Sequence, residues 1–415
     1  MPSIRLGCIA ALLLPILLWT QPVLAEDESP SACDLFSSAS PFDLESLGER
    51  LAASAVGCDQ NRLVLDFGIA EADSMLPLAE AERYVKDEFD FYGLAGFYSI
   101  TRLSIVNADG ISRVEEHVEL SGRDWLSVMG RFTTIGLNAP GATVEIDESG
   151  ARLRWQRGSP VRLTAVVGSK TNLADIDPVF AKTRYSHLWD WLGALSLAVE
   201  ASLEFLHSSL GMSWGWVIVI FSVLVKILLL PVSFMTVRFQ RSVSQHQTQL
   251  EPILREIKEN YDGEEAHNRI MAAHKDLGIS PFFTLKPLLG SFIQVPILVA
   301  IFNALGEMPQ LAGDSFLWIG DLAYPDTIGQ LPFAIPLLGN TVSLLPFVMT
   351  VVTVASTLHY RNRHAPASAV QAQKKQLYLM AAAFFVLFYP FPAGMLLYWT
   401  MANILQWAQQ QLIKV

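Results

Sequence analysis

Five long apolar stretches in the second half of the chain constrain its fold more than any other feature. Most approach the ~20 residues that a helix needs to cross ~30 Å of bilayer hydrocarbon. With 51% hydrophobic and only 17% charged residues among 415, the chain is too apolar to be wholly soluble. The sequence therefore predicts five membrane spans, at approximately residues 213–237, 286–306, 340–359, 376–390 and 393–413.

The charges are concentrated in the first half of the chain. The formal net charge is −11, and residues 26–200 hold 28 of the 40 acidic residues but only 15 of the 29 basic ones. An acidic, soluble domain is thus expected to precede the membrane half. Binding to a phosphate backbone needs clustered Lys and Arg, so nucleic acid is excluded as an expected partner.

The first 25 residues are typical of an export signal. A single base, Arg5, precedes an apolar run over residues 6–19, and Val23-Leu24-Ala25 stands before Glu26. Two interpretations stay open, a cleaved signal peptide and an uncleaved anchor helix. Both place residue 26 onward outside the cytoplasm.

Residues 26–182 are predicted to form an exported, β-sandwich-like domain. Short β-type runs at 62–67, 142–146 and 161–167 are separated by turn signals, and a helix is expected at 77–90. Cys33 and Cys58 both lie in this domain, where an oxidising compartment favours a disulfide between them. The membrane half has no cysteine, so a thiolate metal site is not expected there.

Residues 183–211 are predicted to form an amphipathic helix. Apolar residues recur at helical spacing, and Asp190, Glu200 and Glu204 are expected on the opposite, polar face. Such a helix could pack on the β-domain or lie along the outer bilayer surface with Trp189 and Trp191 at the interface. Its position directly before the first span favours the second interpretation. The predicted apolar face comprises Leu188, Trp191, Leu192, Leu195, Val199, Leu203 and Leu206.

Loop charges predict the orientation of the spans. The 307–331 loop has four acidic residues and no Lys or Arg, whereas the 360–375 loop has four basic residues and no acid. By the positive-inside rule the first loop faces outward and the second faces the cytoplasm. Residues 238–285 carry charges of both signs and an interruption at Gly263, which predicts a cytoplasmic helical hairpin. The N-terminal domain is then periplasmic and the C-terminus cytoplasmic.

One cation interrupts the apolar spans. Lys226 lies about 20 Å from either end of the first span if that span is one helix, and a charge there costs about 2.5–3.5 kcal/mol. The spans contain no Asp or Glu that could pair with it. Lys226 is therefore expected to face a polar cavity. The alternative interpretation is that Lys226 has a structural role and joins neighbouring helices.

Uncharged polar residues accompany Lys226 in the spans. Each alone is typical of helix–helix contact, but together with Lys226 they can line a polar groove. Such a groove would lower the cost of moving a polar segment into the bilayer and would attract an acidic one. These residues are Ser222, Gln294, Asn303, Thr350, Thr353, Thr357, Thr400, Asn403 and Gln406.

Residues 185–415 resemble the YidC/Oxa/Alb family of membrane protein insertases, in its bacterial form with an exported domain. The resemblance rests on the mid-span cation followed by Pro231, the charged hairpin, the runs Phe292-Ile293-Gln294-Val295-Pro296 and Phe316-Leu317-Trp318-Ile319, and the ending FPAGMLLYWTMANILQWAQQQLI. The groove cation of the family is usually Arg, and here it is Lys226. Ser280-Pro281-Phe282-Phe283-Thr284-Leu285 also replaces the usual Asn-Pro and Gly-rich stretch.

The resemblance implies an α-helical core of five spans over residues 212–415, with a hydrophilic groove closed on the outer side. It places Ser222, Gln294, Tyr398 and Trp399 at positions that line the groove or touch substrate, and Asn403 is added here from the polar span residues. It implies newly made membrane proteins as clients, the Sec translocon and membrane lipids as further partners, and the bacterial inner membrane as the location. Because Lys226, the polar span residues and the hairpin follow residue 200, the exported domain is expected to be dispensable for insertion. The amphipathic helix at 186–210 is the expected exception, because it directly precedes the first span.

Other function classes fit the sequence less well. Gly211-Met212-Ser213-Trp214-Gly215 matches a hydrolase pattern, but it connects two predicted helices and lacks the strand of a nucleophile elbow. No P-loop and no cofactor motif is present, so a non-enzymatic function without a cofactor is expected. The main alternative is a secondary transporter or channel with a Lys-lined anion site. An assembly chaperone would need the same groove as an insertase.

Overall fold

The computed structural model describes residues 44–46, 49–51, 54–58, 62–86, 102–114, 117–148, 150–280, 282–283, 288–335, 338–358 and 367–412. The predicted signal at 1–25 and the predicted Cys33–Cys58 disulfide fall outside the described side chains. The described residues all belong to one compact unit, Ser31–Val415.

Two antiparallel sheets make up the first half of the described chain, which confirms the predicted β-rich domain. One sheet has the strand order β2-β1-β5-β12-β11-β8 and the other the order β3-β4-β13-β10-β9-β6-β7. The strands are β1 Leu44–Ser46, β2 Glu49–Leu51, β3 Ser54–Cys58, β4 Arg62–Ile69, β5 Ser74–Pro77, β6 Arg102–Val106, β7 Ile111–Arg113, β8 His117–Glu119, β9 Trp125–Met129, β10 Thr133–Asn138, β11 Thr143–Asp147, β12 Gly150–Trp155 and β13 Pro160–Ser169.

The two sheets share one apolar core. Alternate residues of β12 are buried, as expected for a strand with one face toward a second layer. Leu153 and Trp155 of one sheet lie in the same buried cluster as Leu126 and Leu163 of the other. A face-to-face pair of sheets, or sandwich, follows from this alternation.

The helix predicted at 77–90 is shorter than expected. It is α1, Ala79–Val85, and Lys86 has returned to extended backbone. Pro77 ends β5 before it. The rest of the predicted range, from residue 87, falls outside the described residues.

Two short helical segments and one long helix lead out of the β-domain. They are α2 (Lys170–Ile176), a 3-10 helix (Pro178–Thr183) and α3 (Asp190–Leu210). The predicted polar face of α3 is wrong at Glu200, which is only 3% exposed. Glu200 is buried because Tyr185 and Arg184 supply it with a hydrogen bond and an ion pair.

Helices dominate the second half of the described chain, as predicted. Helices α3, α4, α7, α8, α9 and α10 contribute to one buried cluster, whereas Val243 and Leu250 of α5 form a small separate cluster with Ile279 and Phe283, which follow α6. The helices are α4 Trp214–Leu228, α5 Leu230–Asn260, α6 Gly263–Asp276, α7 Leu288–Glu307, α8 Leu345–Leu358, α9 Ala367–Phe388 and α10 Ala393–Leu412.

The first predicted span, 213–237, is not one helix. Helix α4 ends at Leu228, and α5 starts at Leu230 with Pro231 in its first turn. Proline has no N–H to donate to the carbonyl four residues earlier, so it favours a break at this point. Helix α5 then continues to Asn260 and joins the end of the predicted span to the hairpin.

The third and fourth predicted spans also differ from the structure. Residues 340–343 belong to a β-hairpin, β14 (Thr327–Ile335) with β15 (Gly339–Ser343), so α8 begins only at Leu345. Gly339, directly before the predicted start of this span, has a φ of 77°, which suits a turn between the two strands. The fourth predicted span, 376–390, covers the second half of the longer α9 and extends two residues past its end at Phe388.

Length and apolar composition distinguish one pair of helices as a potential broken span. Within the described residues, no single helix is both long and apolar enough to cross a bilayer. Helices α3 and α4 taken together are long and apolar enough, and the chain bends by 118° between them. Two shorter apolar helices are Phe292–Glu307 and Leu345–Leu358.

Candidate functional site

The second half of α4 carries two of the predicted site residues, one helical turn apart. Ser222 is buried, and its Oγ donates a 2.7 Å hydrogen bond to the carbonyl of Ile218. Lys226 is partly buried in the last turn of α4 rather than mid-helix, because the helix ends at Leu228. A cation in the last turn interacts favourably with the helix dipole.

Lys226 is joined to the last helix of the chain. Its Nζ donates a hydrogen bond to Oε1 of Gln406 on α10. An amide oxygen is a neutral acceptor, so this bond leaves the positive charge of Lys226 in place. Gln406 is one of the polar span residues but is not among the predicted site residues. Its spacing of three residues from Asn403 is the sequence signal that indicates a position on the same helix face and so a place in the site.

A second polar contact connects α10 to α8. Asn403, which lies on the same face of α10 as Gln406, has its Nδ2 3.4 Å from Oγ1 of Thr353. Thr353 in turn donates a 2.9 Å hydrogen bond to the carbonyl of Met349 in its own helix. Lys226, Gln406, Asn403 and Thr353 thus form a polar row across three apolar helices, hereafter the polar row.

The same helix α10 contains buried polar atoms that no protein group satisfies. Within the described part of the chain, Thr400 Oγ1 and Gln409 Oε1 have no hydrogen-bond partner. Both residues are more than nine-tenths buried. Buried polar atoms of this kind are costly unless they find a partner, so α10 retains hydrogen-bonding capacity beside the polar row.

The two predicted aromatic site residues are packed into the helical core. Tyr398 is buried, with its ring centroid 6.4 Å from that of Phe221 on α4. Trp399 lies in an aromatic cluster between α7, α9 and α10, with ring distances of 5.8 Å to Phe302, 5.6 Å to Phe384 and 5.1 Å to Phe388. The structure therefore places Trp399 next to α7 and α9.

Gln294 has a different setting from the other predicted site residues. It is exposed on α7, and the adjacent residues Phe292, Ile293 and Val295 have exposed apolar side chains. The contacts above bring Lys226 and Asn403 into the polar row, with Ser222 one turn from Lys226. They do not bring Gln294 into it.

The start of α4 is held by an acidic residue of the loop that follows α7. Asp314 Oδ2 accepts a 2.9 Å hydrogen bond from the backbone N–H of Trp214. Burial raises the pKa of the Asp314 carboxyl despite this bond. Trp214 also stacks on His207, at 4.2 Å between ring centroids, across the bend between α3 and α4. The start of α4 is thereby fixed to both neighbouring segments.

Comparison with known proteins identifies a family model and several relatives that match the chain. The family model described as the 60Kd inner membrane protein matches residues 205–415, just over half of the chain. Curated proteins named membrane protein insertase YidC also match. The protein from Chloroherpeton thalassium is 29% identical over 54% of this chain and 36% of its own length. The protein from Janthinobacterium sp. is 28% identical over 69% of this chain and 46% of its own length.

A solved structure described as an active YidC insertase with its first transmembrane domain resolved covers 99% of both chains, at 14% identity and a TM-score of 0.38. The chain spans less than half the length of the curated relatives described above. The family model nevertheless extends from within α3 to the last residue and so includes the polar row. The chain therefore belongs to the 60Kd inner membrane protein family, which is the YidC/Oxa family.

Proposed function

We propose that this chain is a membrane protein insertase that moves short hydrophilic segments of client proteins across the inner membrane. The observation that carries the proposal is the polar row, which places Lys226, Gln406, Asn403 and Thr353 across three mainly apolar helices. A polar peptide segment loses its hydrogen bonds to water when it enters hydrocarbon, at a cost of several kcal/mol for each unsatisfied group. Hydrogen-bonding groups within the helical core would offset part of that cost.

The charge of Lys226 gives the site a preference among segments. Coulomb energy rises as the effective dielectric constant falls, so a cation in a partly dehydrated site attracts an acidic segment more strongly than it would in water. Lys226 binds a neutral amide and retains its charge for this purpose. Clients with acidic exported segments should therefore benefit most from this residue.

The proposed arrangement in the membrane has five spans, with the β-domain periplasmic. The spans correspond to α4, α7, α8, α9 and α10, the α5–α6 hairpin lies in the cytoplasm, and the chain ends on the cytoplasmic side. Helix α3 lies along the outer surface of the bilayer with Trp189 and Trp191 at the interface. Newly made membrane proteins are the clients, the Sec translocon and membrane lipids are further partners, and no cofactor is required.

Reconstitution tests the proposal directly. The purified full chain is placed in liposomes, and a small membrane protein with one short exported segment is added as client, without nucleotide. Protease protection of the exported segment is expected with the chain and not with empty liposomes. A requirement for ATP, or solute movement without any effect on client insertion, would refute the proposal, and the second result would favour a transporter with a Lys-lined anion site.

A further inference from the structure

The loop between α7 and α8 ends in a β-hairpin whose first strand is almost wholly exposed. Eight of the nine residues of β14 are exposed, and only Leu331 is half-buried. Successive side chains of a strand point to opposite faces, so neither face of β14 is covered by the part of the chain that the structure describes. The exposed side chains include three large apolar ones, Ile328, Phe333 and Ile335, at 55%, 62% and 37%.

The hairpin has no further strand beside it within the described residues. Strands β14 and β15 form a two-stranded sheet, in which Thr327 is opposite Ser343 and Gln330 is opposite Thr341. A two-stranded hairpin is only marginally stable in water unless another layer covers an apolar face. Exposed apolar residues on so small a sheet therefore indicate a partner that covers them.

Two side chains fix the base of the hairpin to the helices. Asp326, directly before β14, accepts a hydrogen bond at Oδ2 from the backbone N–H of Leu345, the first residue of α8. The hydroxyl of Tyr389, directly after α9, accepts a bond from the N–H of Ser343 and donates one to the carbonyl of Thr341. The hairpin is thus attached where α8 begins and α9 ends, and a shift of its base would break these bonds.

The hairpin shares its composition with the helix that follows it. Residues 327–358, which comprise the hairpin and all of α8, contain no Asp, Glu, Lys, Arg or His. A single residue, Leu344, separates β15 from α8. Phe347 and Val351, one turn apart on α8, are 46% and 67% exposed. Exposed apolar residues therefore continue from the hairpin into the first two turns of α8.

The acidic residues of the same loop lie before the hairpin and are bound by protein groups. Asp314 accepts a hydrogen bond from the backbone N–H of Trp214. Asp321 accepts bonds from the N–H groups of Gly313 and Ala323. The acid directly before β14 is bound at the start of α8, as described above. Charges are thus confined to the part of the loop that has protein partners and are absent from the exposed hairpin.

A bilayer surface fits this pattern better than another protein does. Contact with lipid acyl chains excludes charged side chains, because an ionised group is costly to dehydrate. An interface with a water-soluble protein, in contrast, keeps a polar rim. Pro332, in the middle of β14, also has no N–H, which disfavours the addition of a strand from a client or a second copy. Exposed apolar and aromatic side chains without charges are typical of segments at a membrane–water interface.

We propose that the β14–β15 hairpin is a membrane-binding element that lies in the outer surface of the bilayer, with Ile328, Phe333 and Ile335 among the lipid headgroups and upper acyl chains. The inference rests on the proposed arrangement in the membrane, in which α8 and α9 are spans and the loop before α8 faces outward. The bonds of Asp326 and Tyr389 then hold the outer ends of α8 and α9 at a fixed depth. The partner of this surface is lipid, not the client.

Photo-crosslinking of the full chain in liposomes tests the proposal. Phe333 is replaced by p-benzoylphenylalanine, which keeps an aromatic side chain, and the protein is placed in vesicles of phosphatidylethanolamine and phosphatidylglycerol. Irradiation is expected to increase the mass of the protein by that of one lipid. The same replacement at Ile69, which is 69% exposed in β4, is the matched control and should give about tenfold less lipid adduct.

A charge placed in the hairpin is the second test. With the photoreactive residue at Ile335, Phe333→Glu should lower the yield of lipid adduct about tenfold relative to Phe333→Leu, because a carboxylate resists transfer out of water. Phe333 is 62% exposed, so both variants should accumulate normally. Equal yields in the two variants would contradict contact of the hairpin with the bilayer.

The crosslinked species distinguish the possible partners. An adduct of position 333 with a second copy of the chain, or with an added client, in place of lipid would overturn the proposal, as would the absence of any adduct. The same replacement at Val351 reports on α8 alone. No lipid adduct at Val351 refutes the proposed position of α8, whereas none at Phe333 refutes the membrane contact of the hairpin. Neither measurement depends on insertion of a client.

Discussion

Lys226 of α4 donates a hydrogen bond to Gln406 of α10, a residue 180 positions later in the chain. The bond joins α4 to the last helix of the described chain. A Lys ammonium has three N–H donors, so one bond to an amide does not exhaust its capacity. Since neither Gln406 nor Asn403 is charged, the polar row carries a net positive charge.

Lys226 is expected to determine how well acidic segments are inserted. Lys226→Arg should retain insertion because it retains the charge, whereas Lys226→Ala should slow the insertion of an acidic segment about tenfold, equivalent to about 1.4 kcal/mol. A neutral segment should be affected less. The measurement is protease protection in liposomes for two clients that differ only in the charge of the exported segment.

The matched control for Lys226 is Lys258→Ala, an exposed lysine of the α5–α6 hairpin. It should leave both clients unaffected. Equal losses for the acidic and the neutral client in Lys226→Ala would remove the charge from the mechanism and leave Lys226 as a contact between helices.

Gln406→Glu distinguishes a substrate site from a simple contact between helices. The substitution nearly preserves the shape of the side chain and places a carboxylate at Lys226 Nζ. If the bond only joined α4 to α10, an ion pair should strengthen it and insertion should be unchanged. If Lys226 attracts clients, the carboxylate competes with them, and insertion of the acidic client is expected to fall about tenfold, with normal accumulation of the protein.

Gly215 is expected to tolerate no larger residue. A Cβ at this position of α4 would lie 2.2 Å from two ring atoms of Phe316, in the loop after α7. Gly215→Ala should therefore lower the free energy of unfolding by about 1–3 kcal/mol through overpacking, measured by thermal unfolding in detergent. Gly320→Ala, where a Cβ would meet nothing within 4 Å, is the control. Adding Phe316→Leu to Gly215→Ala should recover part of the loss, and a lack of recovery would contradict this explanation.

Asp326 is expected to stabilise the start of α8. It is buried, and its Oδ2 accepts hydrogen bonds from the backbone N–H groups of Leu344 and Leu345, at 3.1 Å and 2.6 Å, and from Trp318 Nε1 at 3.1 Å. Asp326→Ala leaves these donors unpaired and should cost about 2–4 kcal/mol of unfolding free energy. Asp326→Asn, which keeps an acceptor oxygen, should cost less in the same thermal unfolding experiment. Equal costs for the two variants would contradict a role as acceptor.

The pH dependence of Asp326 follows from its burial. Burial raises the pKa of this carboxyl above its ordinary value, although the hydrogen bonds oppose the shift. A raised pKa in the folded state means that the contribution to stability is largest below the unfolded pKa and is lost as the pH rises through the folded pKa. The stability of the unmodified chain relative to Asp326→Asn should therefore increase as the pH falls from 7 toward 4. A difference independent of pH would contradict this.

Local patterns in the sequence account for most of the secondary structure. The alternation in residues 161–167 corresponds to β13, the apolar run after Pro392 to α10, and the interruption at Gly263 to the turn between α5 and α6. Lys226 is predicted as a site residue because it is a charged side chain within an otherwise apolar run. These features depend on residues within a few positions of one another, and a single sequence contains them directly.

Contacts between distant residues were decided only by the tertiary structure. Nothing near Glu200 indicates that Tyr185 and Arg184 would bury it, and nothing near Lys226 selects Gln406 from the other polar residues of the spans. The hydrogen bond from Arg131, in the turn between β9 and β10, to the carbonyl of Gly306 in α7 depends on how a sandwich and a helical core meet. Periodicity predicts which face of a helix or strand is apolar, whereas the partner of a buried polar group depends on packing between elements far apart in the chain. The sequence by itself therefore determined most of the elements and the residues worth testing. The tertiary structure decided which of those residues interact.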